Sequence, residues 1–406
     1  MQFDGELAVR RVREARRSTE NSNSPLFVCC SQFAGPKVRE IAFSCRNCRH
    51  ILPAFLSKRC TLNRSLNYRL RPARLNMSAY RVRSLDRSEV DSWLDFVHGV
   101  FAEAKGAIAP PRSYFERHIE NDPGAIDSIS ENVIVAVDEQ NRFIGTLRLF
   151  RRRLYLNDSV TSAGGIGEVC VRSDHRRRGV ATLLLEHAVE RLSNAGVELS
   201  FLHTSTSESI YRSMGWVSVP QRFVELIRQP AHDHRGHIEQ LHLESDDDIH
   251  RCSMMYKDFC YRFDGCVVRD QPEYWRKWVQ AESGGVAWSD PNLTPVPLRT
   301  INKEAYAVLQ SKGDAIRVRE FVVLEKGMKR AGLYLDAFLS KLVAPEQHTV
   351  SIILAEPLLS VIGGSPQIVN TFTDTGQMYR RLGDNSSEKH LLPREERHVF
   401  WATDAF

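Results

Sequence analysis

Three consecutive arginines and a glycine stand between a run that reads as a strand and a run that repeats as a helix. The order is GEVCV at 167–171, SDHRRRG at 173–179, then VATLLLEHAVERL. The helix is expected from about Gly179 to Asn194, where Ala195-Gly196 stops it. A helix start exposes backbone N–H groups without intrahelical acceptors, and the macrodipole adds partial positive charge there. Gly179 lets a bulky anion approach the backbone because no Cβ intervenes. Arg176, Arg177 and Arg178 add mobile positive charge, and small Ala181 keeps a second approach open. With the amides of Val180, Ala181 and Thr182 this makes an anion cradle, and a pyrophosphate is its natural guest. A lone R-x-x-G-x-A would be a solvated basic loop. The strand before it and the helix after it favour the cradle.

The surrounding elements fit one layered design. AYRVRSL reads as a strand, and RSEVDSWLDFVHGVFAEAKG as an amphipathic helix with Val90, Leu94, Val97 and Phe101 on one face. PPRSYFERHIEN is a second helix, NVIVAVDE a strand and RFIGTLRLFRRRLYL a long strand. NDSVTSAGG is expected to reverse the chain into IGEVCVR. After the arginine–glycine helix come strand VELSFLHT, short helix SESIYRSM and a last strand pair in GWVSVPQRFVELI. The order β-α-α-β-β-β-α-β-α-β makes residues 77–229 an α/β (α+β) domain, a mixed sheet with helices on both faces.

Pro230 and AHDHRGH read as a linker, and His232, His234 and His237 in it as a solvated loop rather than a metal site. Residues 238–360 repeat the strand–helix–strand order without an arginine–glycine helix start, so 230–360 reads as a second, chemically silent copy. Residues 361–406 read as irregular until HVFWATDAF.

Charge separates the chain into two parts. Residues 1–76 carry 15 Lys and Arg against 5 Asp and Glu, while the remainder carries 40 against 45. The body is mildly acidic, which suits a cationic substrate and argues against a nucleic-acid partner. No apolar run approaches the ~20 residues of a membrane helix. The leader lacks Asp and Glu from Ile41 onward, which suits a mitochondrial transit peptide, while its first 40 residues hold five acids, which do not. The second reading has Met77 as the start of the protein, which is then cytoplasmic. Cys29, Cys30, Cys45, Cys48 and His50 offer one proper ligand pair, too few for a zinc site. The four body cysteines, 170, 252, 260 and 266, form no framework and imply a reducing compartment.

Arg176-x-x-Gly179-x-Ala181 between strand and helix resembles the R/Q-x-x-G-x-G/A signature of the GNAT superfamily of acetyl-CoA-dependent N-acetyltransferases. Tyr211 to Trp216 resembles the Y-x-x-x-G-F/W segment of the same fold, and the likeness covers roughly residues 78–228. HRRRG at 175–179, Leu202-His203-Thr204-Ser205 and Ile210-Tyr211 are similar to the Eis-type (enhanced intracellular survival) enzymes, which carry a second, degenerate acetyltransferase domain. Fungal lysine acetyltransferases are more distant relatives. Two departures from the Eis-type pattern touch the acceptor pocket. The loop between His203 and Tyr211 is one residue longer, and the tail after Ser360 is short for a sterol-carrier-like third domain.

The resemblance implies acetyl transfer to a primary amine in a ternary complex, without a metal, in a chain that can form homo-oligomers. Val169, Cys170 and Val171 would meet the pantetheine arm through their backbone, and Ser205 would also face the cofactor. Tyr211 would protonate the departing thiolate. The attacking amine must lose a proton it holds up to about pH 10. Glu168, at the opening of the central strand, and the C-terminal carboxylate of Phe406 are the two candidate bases. A catalytically silent acyl-CoA-binding module is the rival reading.

Overall fold

A computed structural model describes residues 80–105, 109–123, 129–233, 236–281, 293–295, 299–312, 315–383 and 392–405. The first half runs β1 (Arg81–Ser84), α1 (Val90–Lys105), α2 (Arg112–Asn121), β2 (Val133–Val137), β3 (Phe143–Leu156), β4 (Ser159–Val171), α3 (Val180–Asn194), β5 (Leu199–His203), α4 (Glu208–Ser213), β6 (Val217–Ser218) and β7 (Gln221–Arg228). The second half runs β8 (Ile238–Gln240), α5 (Asp246–Cys260), β9 (Leu293–Pro295), β10 (Arg299–Ile301), β11 (Ala305–Lys312), β12 (Ala315–Val323), α6 (Ala331–Leu339), β13 (Val350–Ala355), β14 (Gln367–Asp374) and β15 (Gln377–Arg381). The first sheet has the order β1-β2-β3-β4-β5-β15-β6. The second has the order β14-β7-β13-β12-β11-β10-β8, with β9 paired to β11. This is the mixed α/β architecture with a second, similar unit that the element pattern predicts.

Helices cover both faces of the first sheet because its strands are apolar on both. Val133, Val135 and Val137 of β2 pack with Trp93, Val97, Phe101 and Phe115 of α1 and α2. Ile134 and Ala136 pack with Val180, Leu184, Ala188 and Leu192 of α3 on the other side. The period of two in the strand and of four in the helix do this without any polar interruption. Gly145 sets the helix close to the sheet: a Cβ there would lie 3.1 Å from Val180 Cγ1 and Leu184 Cδ1.

Three expectations change. The reversal after β3 takes only Asn157 and Asp158, at φ of 49° and 63°, so most of NDSVTSAGG is strand. Asn and Asp tolerate the left-handed region, and a two-residue turn of that hand matches the strand twist. The pair in GWVSVPQRFVELI is split between sheets: β6 stays in the first and β7 joins the second. Pro220, without an N–H to continue a ladder, stands where they part. The tail is not irregular, since β14 pairs with β7 and β15 inserts between β5 and β6.

The second unit repeats the central motif of the first. Strands β12 and β13 are parallel only over Ala315–Arg317 and Ser351–Ile353, with α6 between them in sequence. Its helix start is closed, however. A Cβ on Gly332 would lie 2.5 Å from the carbonyl oxygen of Ile362, so another segment lies where a ligand would approach.

The C-terminal segment is held by polar side chains at depth. Buried Asp264 accepts from Arg394 at 2.8 Å and from the Asn157 amide at 3.0 Å. His398, with no exposed surface, lies 3.1 Å from the Pro220 carbonyl through Nδ1 and 2.9 Å from the Tyr379 hydroxyl through Nε2. Burial pushes its pKa down to about 4. The folded state therefore holds neutral imidazole where the unfolded chain takes a proton below about pH 6.5. Stability is complete above that pH and falls as pH drops from about 6.5 to about 4, by about 3 kcal/mol in all. Urea midpoints at pH 7 and pH 4.5 check this: in His398→Gln the part of the loss due to this residue disappears. Among the described residues no helix is long and apolar enough to cross a membrane.

Candidate active site

The site begins where two parallel strands part. Strand β4 pairs with β5 only at Ala163–Leu199, Gly164–Ser200 and Gly165–Phe201. Among the described residues no strand pairs with 166–171 on that side, so β4 shows an open backbone edge there. Val169, Cys170 and Val171 lie on this stretch. The Arg172 amide donates to Ile144 on β3, so alternation turns Val171 the other way, toward the open edge. Cys170 is buried, and burial together with Glu168 pushes its thiol well above the usual range. It stays protonated and is a poor nucleophile.

The arginine–glycine turn stands at the end of that edge. Gly179 is the N-cap of α3 at φ 76°, and no side chain caps the helix. The first backbone bond of the helix runs from the Leu183 amide to the Gly179 carbonyl, leaving the amides of Val180, Ala181 and Thr182 outside the intrahelical ladder. Ala181 and Thr182 are partly exposed, and Arg177 and Arg178 are exposed. Arg176 departs from the expectation of three mobile charges. Its Nε donates to the Val171 carbonyl at 3.0 Å, which ties the turn back to β4. Arg172 and His175 stiffen the turn from below, with Arg172 Nη2 donating to His175 Nε2 at 2.7 Å. Gly179→Val puts a β-branched residue at positive φ, strained by about 1–3 kcal/mol, and fills the approach to the amides. Calorimetry with acetyl-CoA should find binding weakened at least about tenfold, with thermal melting to separate lost binding from lost folding.

Glu168 does not open β4 but sits in its last third, at a bulge. Arg148 faces Gly167 and Thr146 faces Cys170, so Glu168 and Val169 together oppose Leu147. Glu168 takes φ 54°, a conformation that re-aims its side chain out of the regular alternation. The carboxylate is buried, and its Oε1 lies 2.8 Å from Nδ1 of His118 on α2. His118 is stacked on Trp278, ring centres 5.2 Å apart, and touches Tyr114 at 4.2 Å. Tyr211 is fully buried on α4 and meets Trp216 edge-on at 6.0 Å. It shares a packed cluster with Val169 and Val171 of β4 and Leu202 of β5, the two strands that part. Ser205 is exposed, and the neighbouring Thr204 hydroxyl accepts from the Ser207 amide at 3.0 Å, in the turn that leads into α4.

Phe406, Cys29, Cys30, Cys45, Cys48, His50 and His234 lie outside the described residues. Among the described residues no group of three His, Cys, Asp or Glu could hold a metal ion. Sequence reasoning missed His118, Arg148 and Arg152. The signal for His118 was a histidine on the apolar face of α2 beside Tyr114 and Phe115. For the arginines it was alternation: in RLFRR, residues 148, 150 and 152 share one face of β3.

Residues 81–219 match the family model described as an acetyltransferase (GNAT) domain, and this part of the chain is such a domain. Two solved GCN5-related N-acetyltransferases share the fold over three quarters of this chain. The one from Kribbella flavida is 17% identical over 75% of this chain and 71% of that chain, with a TM-score of 0.55. The one from Anabaena variabilis ATCC 29413 is 15% identical over 75% and 73%, also at 0.55. Eis1 from Mycobacterium abscessus is 16% identical over 75% and 73%, at 0.51. No curated protein matches the chain. A GNAT domain indicates acyl transfer from an acyl-CoA thioester.

Proposed function

We propose that the chain is an acetyl-CoA:amine N-acetyltransferase working by direct attack in a ternary complex. The observation that carries this reading is the parting of β4 from β5 between an uncapped helix start and the buried Glu168. The amides of Val180, Ala181 and Thr182, with Arg177 and Arg178, hold the pyrophosphate. The open edge at Val169–Val171 meets the pantetheine and receives the thioester oxygen as charge develops on it. The amine nitrogen attacks the thioester carbonyl, Glu168 takes the amine proton, the carbon–sulfur bond breaks, and Tyr211 protonates the thiolate. His118 orients Glu168. The Phe406 carboxylate is the alternative base.

The test is coenzyme A release from acetyl-CoA against a panel of primary amines, with the acylated product identified by mass. Release with product supports the reading. Tight acetyl-CoA binding with no release from any amine supports the silent binding module instead.

A further inference from the structure

Beside Glu168 lies a wall of buried side chains made almost wholly of hydrogen-bond donors. Arg148 and Arg152 share a face of β3 with Phe150 between them, and their side chains are 2% and 1% exposed. Both reach Asp122: Arg152 Nη1 at 2.6 Å and Arg148 Nη2 at 3.4 Å. Arg148 Nη2 also donates to the His118 carbonyl at 2.6 Å. Asp122 thus answers one terminal nitrogen of each guanidinium. Arg148 Nε and Nη1, Arg152 Nε and Nη2 and Trp278 Nε1 are buried with no acceptor among the described residues, and His118 Nε2 and Glu168 Oε2 are buried with no hydrogen-bond partner among them. The ring faces of Phe150, Trp278 and Tyr274 lie 4.9–5.6 Å from the guanidinium carbons. They favour the charge but do not take the in-plane N–H groups.

A buried donor without an acceptor destabilises the fold, and more so when it is charged. Two adjacent guanidiniums leaving donors open in one place mark a position built for an anion, and a carboxylate matches their planar fork. The segment over this wall, Tyr274–Val279, is a π-helical turn, a feature common at functional sites. One residue separates the wall from the proposed base, since His118 meets Arg148 through its carbonyl and Glu168 through its ring.

We propose that the acceptor carries a carboxylate besides its amine, as a small amino acid does. Arg148 and Arg152 hold the carboxylate, and the amine reaches Glu168. This rests on the acetyltransferase reading and narrows it: the acidic body favours a cationic acceptor, and the pocket selects a zwitterionic one.

Matched acceptors test it: lysine against cadaverine, ornithine against putrescine, and lysinamide as the control without a carboxylate. In the unaltered protein kcat/KM should be at least about tenfold higher for each carboxylate-bearing member, and lysinamide should behave as cadaverine does. Arg152→Gln should bring each ratio within about threefold of unity. Thermal shifts with lysine or cadaverine alone give a second readout, in which lysine stabilises the unaltered protein and not Arg152→Gln. If Arg152→Gln does not fold, the ratios and shifts of the unaltered protein decide. Equal or better use of the diamines overturns the proposal and leaves the acetyltransferase reading standing. So does a preference seen only for phosphoethanolamine over ethanolamine, which would make the anion a phosphate. Absence of turnover with every amine, with the lysine-specific shift retained, overturns the acetyltransferase reading alone.

Discussion

Glu168→Gln should lower kcat by about 10²–10⁴-fold while leaving the affinity for acetyl-CoA within about twofold. Gln keeps the shape of the side chain and its contact with His118 Nδ1, 2.8 Å away, but cannot take the proton that the acceptor ammonium must lose before its nitrogen can attack. The pH profile distinguishes a base from a structural residue. The deficit should shrink as pH rises toward about 10, where the amine loses its proton unaided. A merely structural role would give a deficit constant with pH. An unchanged kcat would move the proton acceptor away from Glu168, to the Phe406 carboxylate first.

Arg269→Ala should destabilise the fold by about 3–5 kcal/mol, a fall of roughly 10 °C in melting temperature for a body of this size. Arg269 has no exposed side-chain surface, and neither do its partners Glu320 and Asp404. Its Nη1 and Nη2 donate to Glu320 at 3.0 and 2.8 Å, its Nε and Nη2 to Asp404 at 2.9 Å, and Nη2 also to Thr403 at 2.7 Å. The ring of Tyr256 lies 4.1 Å beneath the guanidinium. Removing the cation leaves two fully buried carboxylates together, and burial, with the Glu320 charge adding to it, already raises the Asp404 pKa. Urea denaturation followed by tryptophan fluorescence checks the size, since Trp275 lies 5.1 Å from the guanidinium. A loss under about 1 kcal/mol would mean that the three charges are not coupled as their geometry implies. The same variant should disturb the proposed carboxylate site. Tyr274 donates to Asp404 at 3.0 Å and lies against Arg152 at 5.5 Å, so this hub and the donor wall share a side chain.

Much of the first unit was legible. The strand at 167–171, the turn with Gly179 and the helix after it are read from neighbours along the chain, as are α1 and β2 with their periods of four and two. Glu168 was legible as a position but not as an environment. Its place in the strand depends on a bulge that exists only because β3 and β4 pair in one register, and its partner His118 is 50 residues away. Arg148 and Arg152 read as ordinary strand residues until β3 is packed beneath Trp278 and Tyr274. The tail read as irregular because QMYRR has no decisive pattern of its own. It becomes a strand by filling the gap between β5 and β6.

The amino-acid order alone determined the elements, the apolar faces and the arginine–glycine helix start, since these arise between residues a few positions apart. Tertiary structure decided which buried charges meet. Asp404 finds Arg269 across 135 residues and Glu320 finds it across 51. A charge is stable in the interior only where another segment brings its partner, and no local stretch of chain contains that information.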